Sequence, residues 1–289
     1  MPHPTGPNGP GYRPSRHLEF SPGGWVVHEH NLIEEAQVCL YLNGQELVTL
    51  MCSPVDLEEL AIGFLRSEGL ITSMSDIEAF SVAQSGSCID VLLKDVSVSP
   101  AGRRVLTSGC GGGVTFSSDE ALPRVPDGPS VSVSNLTTMM RTLVRVDGLR
   151  SAARGVHGSA LGRDGKLVLI AEDVSRHNCI DRLWGKATRA GLDVAGLVLL
   201  TSGRISSEMV MKAARLLIPV VASQRSPTTL ACDLAERLGI TICGYVRPPR
   251  VRVYTNAFRI AGTSRLPLDD GGQGGDGGQG GDNGHTAPA

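Results

Sequence analysis

The sequence predicts an α/β (α+β) chain of two domains, the larger a mixed sheet with helices on both faces and the smaller α+β. Three observations carry this. The 289 residues amount to about two average domains. Downstream of residue 129, short apolar strands alternate with amphipathic helices over short connections, the pattern of a mixed or parallel sheet covered by helices. Between the two halves, a stretch rich in Ser, Asp, Pro and Gly (117–130) reads as a crossing between units. The expected boundaries are a disordered N-terminal extension over 1–22, a small domain over 23–128, the larger domain over 129–262 and a disordered Gly-rich tail over 263–289. The extension holds six prolines and the tail is mostly Gly, Gln and Asp, and neither can bury enough apolar surface to offset its ordering entropy.

The elements follow in order. VCLYL and ELVTLM flank Asn43-Gly44, whose two positive φ angles suit a tight type I′ hairpin. Ser53 is the expected N-cap of a helix with Pro54 at its first position and Asp56 in its first turn; Leu57, Leu60, Ala61, Phe64 and Leu65 form the apolar stripe and Gly69 the stop. A strand is expected around Ile89–Val98, and no regular element at Thr107–Gly113. In the second block Ser134 caps a helix carrying Leu136, Met139, Met140, Leu143 and Val144, and Asp164-Gly165 turns another hairpin. A helix over Asn178–Ala190, a buried strand over Leu197–Leu200, a helix over Ser207–Leu217, a strand at Val220–Ala222 and a helix over Pro227–Leu238 come next. Thr241–Val246 and Val251–Tyr254 complete the sheet.

Composition excludes several functions. With 27 basic and 29 acidic side chains, a net charge of −2 argues against a protein that coats nucleic acid or an anionic membrane. No run of about 18 apolar residues exists to span a bilayer, and the N-terminus lacks the apolar core of a secretory signal. Seven cysteines, an odd number without framework spacing, suit reduced thiols, so a cytoplasmic location is expected.

Four places carry chemistry. Cys110 is flanked by glycines, which let the backbone approach a partner, and the surrounding N–H groups suit an anion or a thiolate; an incidental cysteine on a floppy loop is the plain alternative. The remaining six cysteines read as small core residues. Ser202-Gly203-Arg204 connects a strand to a helix N-terminus, a ready phosphate site, although neither a Walker loop nor a GxGxxG fingerprint; ordinary capping is the alternative. Arg247-Pro248-Pro249-Arg250 lies in a window, Arg237 to Leu268, with six arginines and no acid, which suits one anionic ligand or a solvated basic face. Glu172-Asp173-Val174-Ser175-Arg176-His177-Asn178 crowds acid, base and imidazole at a strand-to-helix junction, either as a site or as a structural network. His157, His177, Cys110 and Cys179 lack the spacing of a zinc-deaminase signature, so no metal is expected.

Seven segments in order resemble the FdhD (formate dehydrogenase accessory, NarQ-like) sulfur-carrier family. They are Asp56–Gly69, Ser108-Gly109-Cys110-Gly111, Gly155–Ala160, Glu172–Asn178, Ser202–Glu208, Ser226–Thr229 and Gly244–Arg250. The resemblance implies a larger domain like the cytidine-deaminase fold without its zinc, and a homodimer. It implies that Cys110 accepts sulfur from a cysteine desulfurase as a persulfide, a sulfurtransferase-type activity. That sulfur then passes to the bis-molybdopterin guanine dinucleotide molybdenum cofactor before insertion into formate dehydrogenase. The stretch Tyr245, Val246, Arg247, Pro248, Pro249 and Arg250 matches the family's cofactor-holding segment; Ser202, Gly203, Arg204 and His177 join it as candidates. One departure matters: many members carry Cys-x-x-Cys where this chain has Cys110-Gly111-Gly112-Gly113, so no second thiol of that loop resolves the persulfide. A cofactor-binding chaperone without sulfur chemistry is therefore kept as the alternative, and a deaminase-like hydrolase is disfavoured by the missing ligands.

Overall fold

The computed structural model describes residues 11–99, 103–106, 114–117, 122–128 and 130–263, with backbone alone for 103–106 and 114–117. The chain opens with a ribbon, β1 (Tyr12–Ser21) and β2 (Gly24–Ile33), paired antiparallel from Tyr12↔Ile33 to Ser21↔Gly24. The expectation of disorder over 1–22 is thus corrected for residues 12–21, while 1–10 lie outside the described residues. The prolines misled: among the described residues β1 pairs with β2 alone, and an edge strand tolerates Pro14. The ribbon's base rests on the second half of the chain, where Asn31 Nδ2 donates to the Ala152 carbonyl at 3.2 Å.

The small unit is a four-stranded sheet in the order β4-β3-β6-β5, built from β3 (Ala36–Leu42), β4 (Gln45–Cys52), β5 (Ile77–Val82) and β6 (Cys88–Leu93). Asn43 and Gly44, at φ 52 and 77, make the expected I′ turn. Val38, Leu40, Leu42, Ile89 and Val91 face inward onto α1 (Leu57–Ser67). The helix starts three residues later than the expected first position, Pro54. Ser53 is absorbed elsewhere: its Oγ accepts from the Val174 N–H at 3.2 Å, and Asp56 occupies the cap position at φ 44. The hairpin β7 (Arg103–Leu106) and β8 (Val114–Ser117) follows, and the Cys110 loop between them lies outside the described residues.

The larger unit is a six-stranded mixed sheet, ordered β10-β9-β11-β12-β13-β14. Its strands are β9 (His157–Arg163), β10 (Lys166–Asp173), β11 (Val198–Thr201), β12 (Val220–Ser223), β13 (Thr241–Arg247) and β14 (Arg250–Val253). β11, β12 and β13 run parallel; β9, β10 and β14 are antiparallel additions. Parallel strands covered on both faces need continuous apolar runs, and β11 and β12 are buried throughout. One face packs on α2 (Val133–Leu143), the other on α4 (Arg176–Arg189), α5 (Ser207–Arg215) and α6 (Thr229–Leu238). The cap of α2 is Ser132, whose Oγ accepts from the Asn135 N–H at 3.0 Å, and not Ser134. A short helix, α3 (Leu149–Ala153), precedes β9.

The two units meet where α1 crosses α4. A Cβ on Gly63 would strike the Asp181 carbonyl, and one on Gly185 the Glu59 carbonyl, so the two backbones touch. Beside the crossing, Arg182 and Asp173 are wholly buried and 2.6 Å apart. Arg182 also donates to the carbonyls of Ser53, Val55 and Asp56, and Asp173 accepts from the Ser53 and Ser175 N–H groups and from Asn178. The Glu172–Asn178 junction is therefore in large part the bolt between the units.

Candidate functional site

Parallel strands end in loops at one edge of a sheet, and open α/β sheets bind ligands outside those carboxyl ends. Here β11 and β12 end side by side at Thr201↔Ser223, and the loops beyond them stay paired. The Ile205 N–H donates to the Ser226 carbonyl at 3.3 Å, the Thr228 N–H to the Ile205 carbonyl at 3.0 Å, and the Ser223 hydroxyl to the Gly203 carbonyl at 2.5 Å. Arg204 and Arg225 thereby stand at matching positions, each three or two residues past its strand's last paired residue.

Between these loops lies a cavity of about 440 Å³. Arg204, Gln224 and Arg225 line it from the loops, Arg176 from the first turn of α4, Arg150 from α3, His157 from the start of β9 and Val156 from just before it. Ser202 and Gly203 complete the wall. Ser202 is fixed to β9: its N–H donates to the Gly158 carbonyl at 2.9 Å, and its Oγ accepts from the Gly158 N–H at 3.0 Å. Gly203 is closely approached: a Cβ there would sit about 3.0 Å from Arg176 Cβ and Cδ and 3.4 Å from His157 Nδ1, so these side chains would have to shift. Glu172, just outside, accepts from the Arg150 N–H at 3.3 Å and so holds α3 at the rim.

The electrostatics are one-sided among the described residues, where four guanidiniums and no carboxylate line the cavity. Burial first, then Arg176, Arg150 and Arg225, push His157 below its ordinary value, so its imidazole is neutral near pH 7 and available as a hydrogen-bonding group. A cavity of this charge suits an anion, and forked donors on several sides match a phosphate or a diphosphate.

Of the residues singled out from sequence, Ser202, Gly203 and Arg204 line the cavity. Tyr245–Arg250 lies next to it but not on its wall. The Tyr245 N–H donates to the Arg225 carbonyl at 3.3 Å, so the main chain of one cavity residue carries that segment. Tyr245 sits at φ 50 in a bulge of β13, with the Arg252 guanidinium 4.4 Å from its ring centroid. Arg247, Pro248, Pro249 and Arg250 are exposed, whereas Val246 is fully buried among core residues. His177 lies beneath the floor, buried, with Nε2 3.2 Å from Glu208 Oε2 and 3.3 Å from Ser206 Oγ. Burial, Lys212, Arg176 and His157 push it down to about 3, so it is neutral. Below it, Lys212 holds Asp181 at 2.6 Å and ties α4 to α5. Cys110 lies outside the described residues.

Arg150, Arg176, Arg225 and His157 are cavity residues that the sequence reading left unassigned to the anion site. For Arg225 a signal existed: Thr201-Ser202-Gly203-Arg204 and Ser223-Gln224-Arg225 are two strand ends followed by a polar turn and an arginine. For Arg150, carried on a five-residue helix, the sequence offers none.

Comparison with known proteins gives a consistent result. The sequence profile described as the FdhD/NarQ family matches residues 33–261. The sulfur carrier protein FdhD of Bacillus licheniformis is 34% identical over 249 residues, covering 84% of this chain and 95% of that protein. Its counterpart in Bacillus subtilis is 35% identical over 238 residues, covering 80% and 91%. A crystal structure described as a formate dehydrogenase accessory protein from Desulfotalea psychrophila superposes with a TM-score of 0.69 at 27% identity, covering 87% of this chain and 100% of that one.

Proposed function

The chain belongs to the FdhD/NarQ family, and on that footing we propose that it is a sulfur carrier for the maturation of formate dehydrogenase. The thiolate of Cys110 attacks the outer sulfur of a persulfide presented by a cysteine desulfurase; the old S–S bond breaks, the donor leaves as thiolate, and Cys110 holds the sulfur as a persulfide. The acceptor is the bis-molybdopterin guanine dinucleotide molybdenum cofactor, held as cargo and delivered to formate dehydrogenase. The observation that carries this reading is the cavity at the ends of two parallel strands, lined among the described residues by Arg150, Arg176, Arg204 and Arg225 and by no carboxylate. A dinucleotide cargo brings two pyrophosphates, which those guanidiniums receive, and guanines, for which Tyr245 and the Arg247–Arg250 turn offer an exposed surface next door.

Mass spectrometry after incubation with a desulfurase and cysteine tests the sulfur step. The expected adduct is one sulfur atom, absent in Cys110→Ser; an adduct that persists in that variant refutes the assignment. The absence of a second cysteine at Gly113 keeps one other reading, a chaperone that holds the cofactor without sulfur transfer. It predicts that Cys110→Ser sustains formate dehydrogenase activity while Arg204→Ala abolishes it.

A further inference from the structure

The outer face of the small sheet carries a pair of thiols that the sulfur-carrier reading does not use. Cys39 in β3 and Cys88, the first residue of β6, are directly paired across parallel strands. Their side chains therefore leave the sheet on the same side. The Cys39 N–H donates to the Ser87 carbonyl at 2.9 Å, which fixes the register. The opposite face holds Val38, Leu40, Ile89 and Val91 in the core, so the thiols are on the solvent side, and both are half-buried. Their neighbours there are polar: Cys39 Sγ is 3.5 Å from Thr49 Oγ1, and Cys88 Sγ is 3.8 Å from Ser87 Oγ. Tyr41 and Asp90, a paired position two residues on, share the face. The Tyr41 hydroxyl is pushed up by Glu46 first, with burial, Cys39, Cys88 and Asp90 adding.

Burial pushes Cys52 and Cys243 up to about 12, Cys179 well above its ordinary value, and raises Cys232, so these thiols resist ionisation. Cys232, on α6, has no cysteine as strand neighbour.

We propose that Cys39 and Cys88 form a reversible oxidation site, a surface dithiol that a hydroperoxide converts to a cross-strand disulfide. Adjacent strands lie about 4.8 Å apart, inside the roughly 4.4–6.8 Å Cα separation a disulfide accepts. One thiolate attacks the peroxide; the O–O bond breaks, hydroxide leaves and the sulfur becomes a sulfenic acid. The second thiol attacks that sulfur, the S–O bond breaks, the S–S bond forms and water leaves. Two thiols lose two electrons and the peroxide gains them. A bond between directly paired parallel residues is strained, and strained, accessible disulfides are the easily reduced ones, so a dithiol reductant restores the pair.

The test uses full-length Cys110→Ser protein, which removes the carrier thiol from the readout. After hydrogen peroxide, free thiols are blocked with N-ethylmaleimide and peptides are mapped without reduction. The expected product is a Cys39–Cys88 linked peptide, formed within one chain at any protein concentration, lost in Cys39→Ser and reversed by dithiothreitol, with Cys232 unlinked. Cys39 and Cys88 both recovered as maleimide adducts, each oxidised singly to sulfinic acid, or linked only between chains would each overturn the proposal.

Discussion

Arg204 and Arg225 make the same contribution from two successive loops, and each is exposed enough to lose without disturbing the core. A charge-assisted hydrogen bond is worth about 1.5–3 kcal/mol. Arg204→Ala or Arg225→Ala is therefore expected to weaken guanosine diphosphate binding roughly 10- to 150-fold in calorimetry, while Arg189→Ala, on the far end of α4, changes nothing. His177 gives a pH signature instead. Its folded value near 3 lies below the ordinary value of about 6.5. The unfolded chain binds the extra proton between those values, so stability is complete above about pH 6.5 and falls as pH drops toward 3. His157, also pushed down, acts in the same direction. Chemical denaturation at several pH values is expected to show a flatter fall in His177→Gln than in the parent; an unchanged slope would refute a buried neutral imidazole.

At the scale of elements, the helix crossing is the sharpest constraint. Gly63→Ala and Gly185→Ala each force two backbones apart, and overpacking of this kind costs about 1–3 kcal/mol or more. Gly69→Ala loses a positive-φ position but meets open space, so denaturation midpoints should separate the crossing variants from a purely local effect. The elements also show where sequence sufficed. Asn43-Gly44 and Asp164-Gly165 set their hairpins because positive φ at two successive positions is a local demand. The N-cap at Ser53 failed for a nonlocal reason: nothing near it reveals that a backbone N–H some 121 residues away claims its hydroxyl. The candidate anion site was half legible. Ser202–Arg204 announces a strand-to-helix turn, but the convergence of Arg150 and Arg176 depends on how α3 and α4 are placed by the sheet. Tyr245–Arg250 came through family resemblance, and Val246 within it is core.

Across the whole molecule, exposure is distributed unevenly between the two tryptophans. Trp25 pairs with Phe20 at the ribbon tip, centroids 5.2 Å apart, and is 68% exposed; Trp184, on the buried face of α4, is 0% exposed. Acrylamide quenching of the folded protein is expected to act almost wholly through Trp25, so Trp25→Phe should leave an emission that resists quenching. Strong residual quenching would mean that the α1–α4 layer opens in solution. The ribbon that carries Trp25 also explains the largest error of the sequence reading. A two-stranded element with exposed residues on both sides buries almost nothing, so its hydropathy pattern resembles that of a tail.

The bolt between the units has a consequence for synthesis. Arg182 reaches back across 129 residues to the Ser53 carbonyl. At ribosomal rates of about 5–20 residues per second, Arg182 follows Ser53 by on the order of 6–26 s, so α1 and the small sheet are made seconds before their partner helix exists. During that interval the glycine face of α1 and three backbone carbonyls have only water, so the nascent chain passes through a stage that invites chaperone capture, and its final closure is set by the arrival of α4.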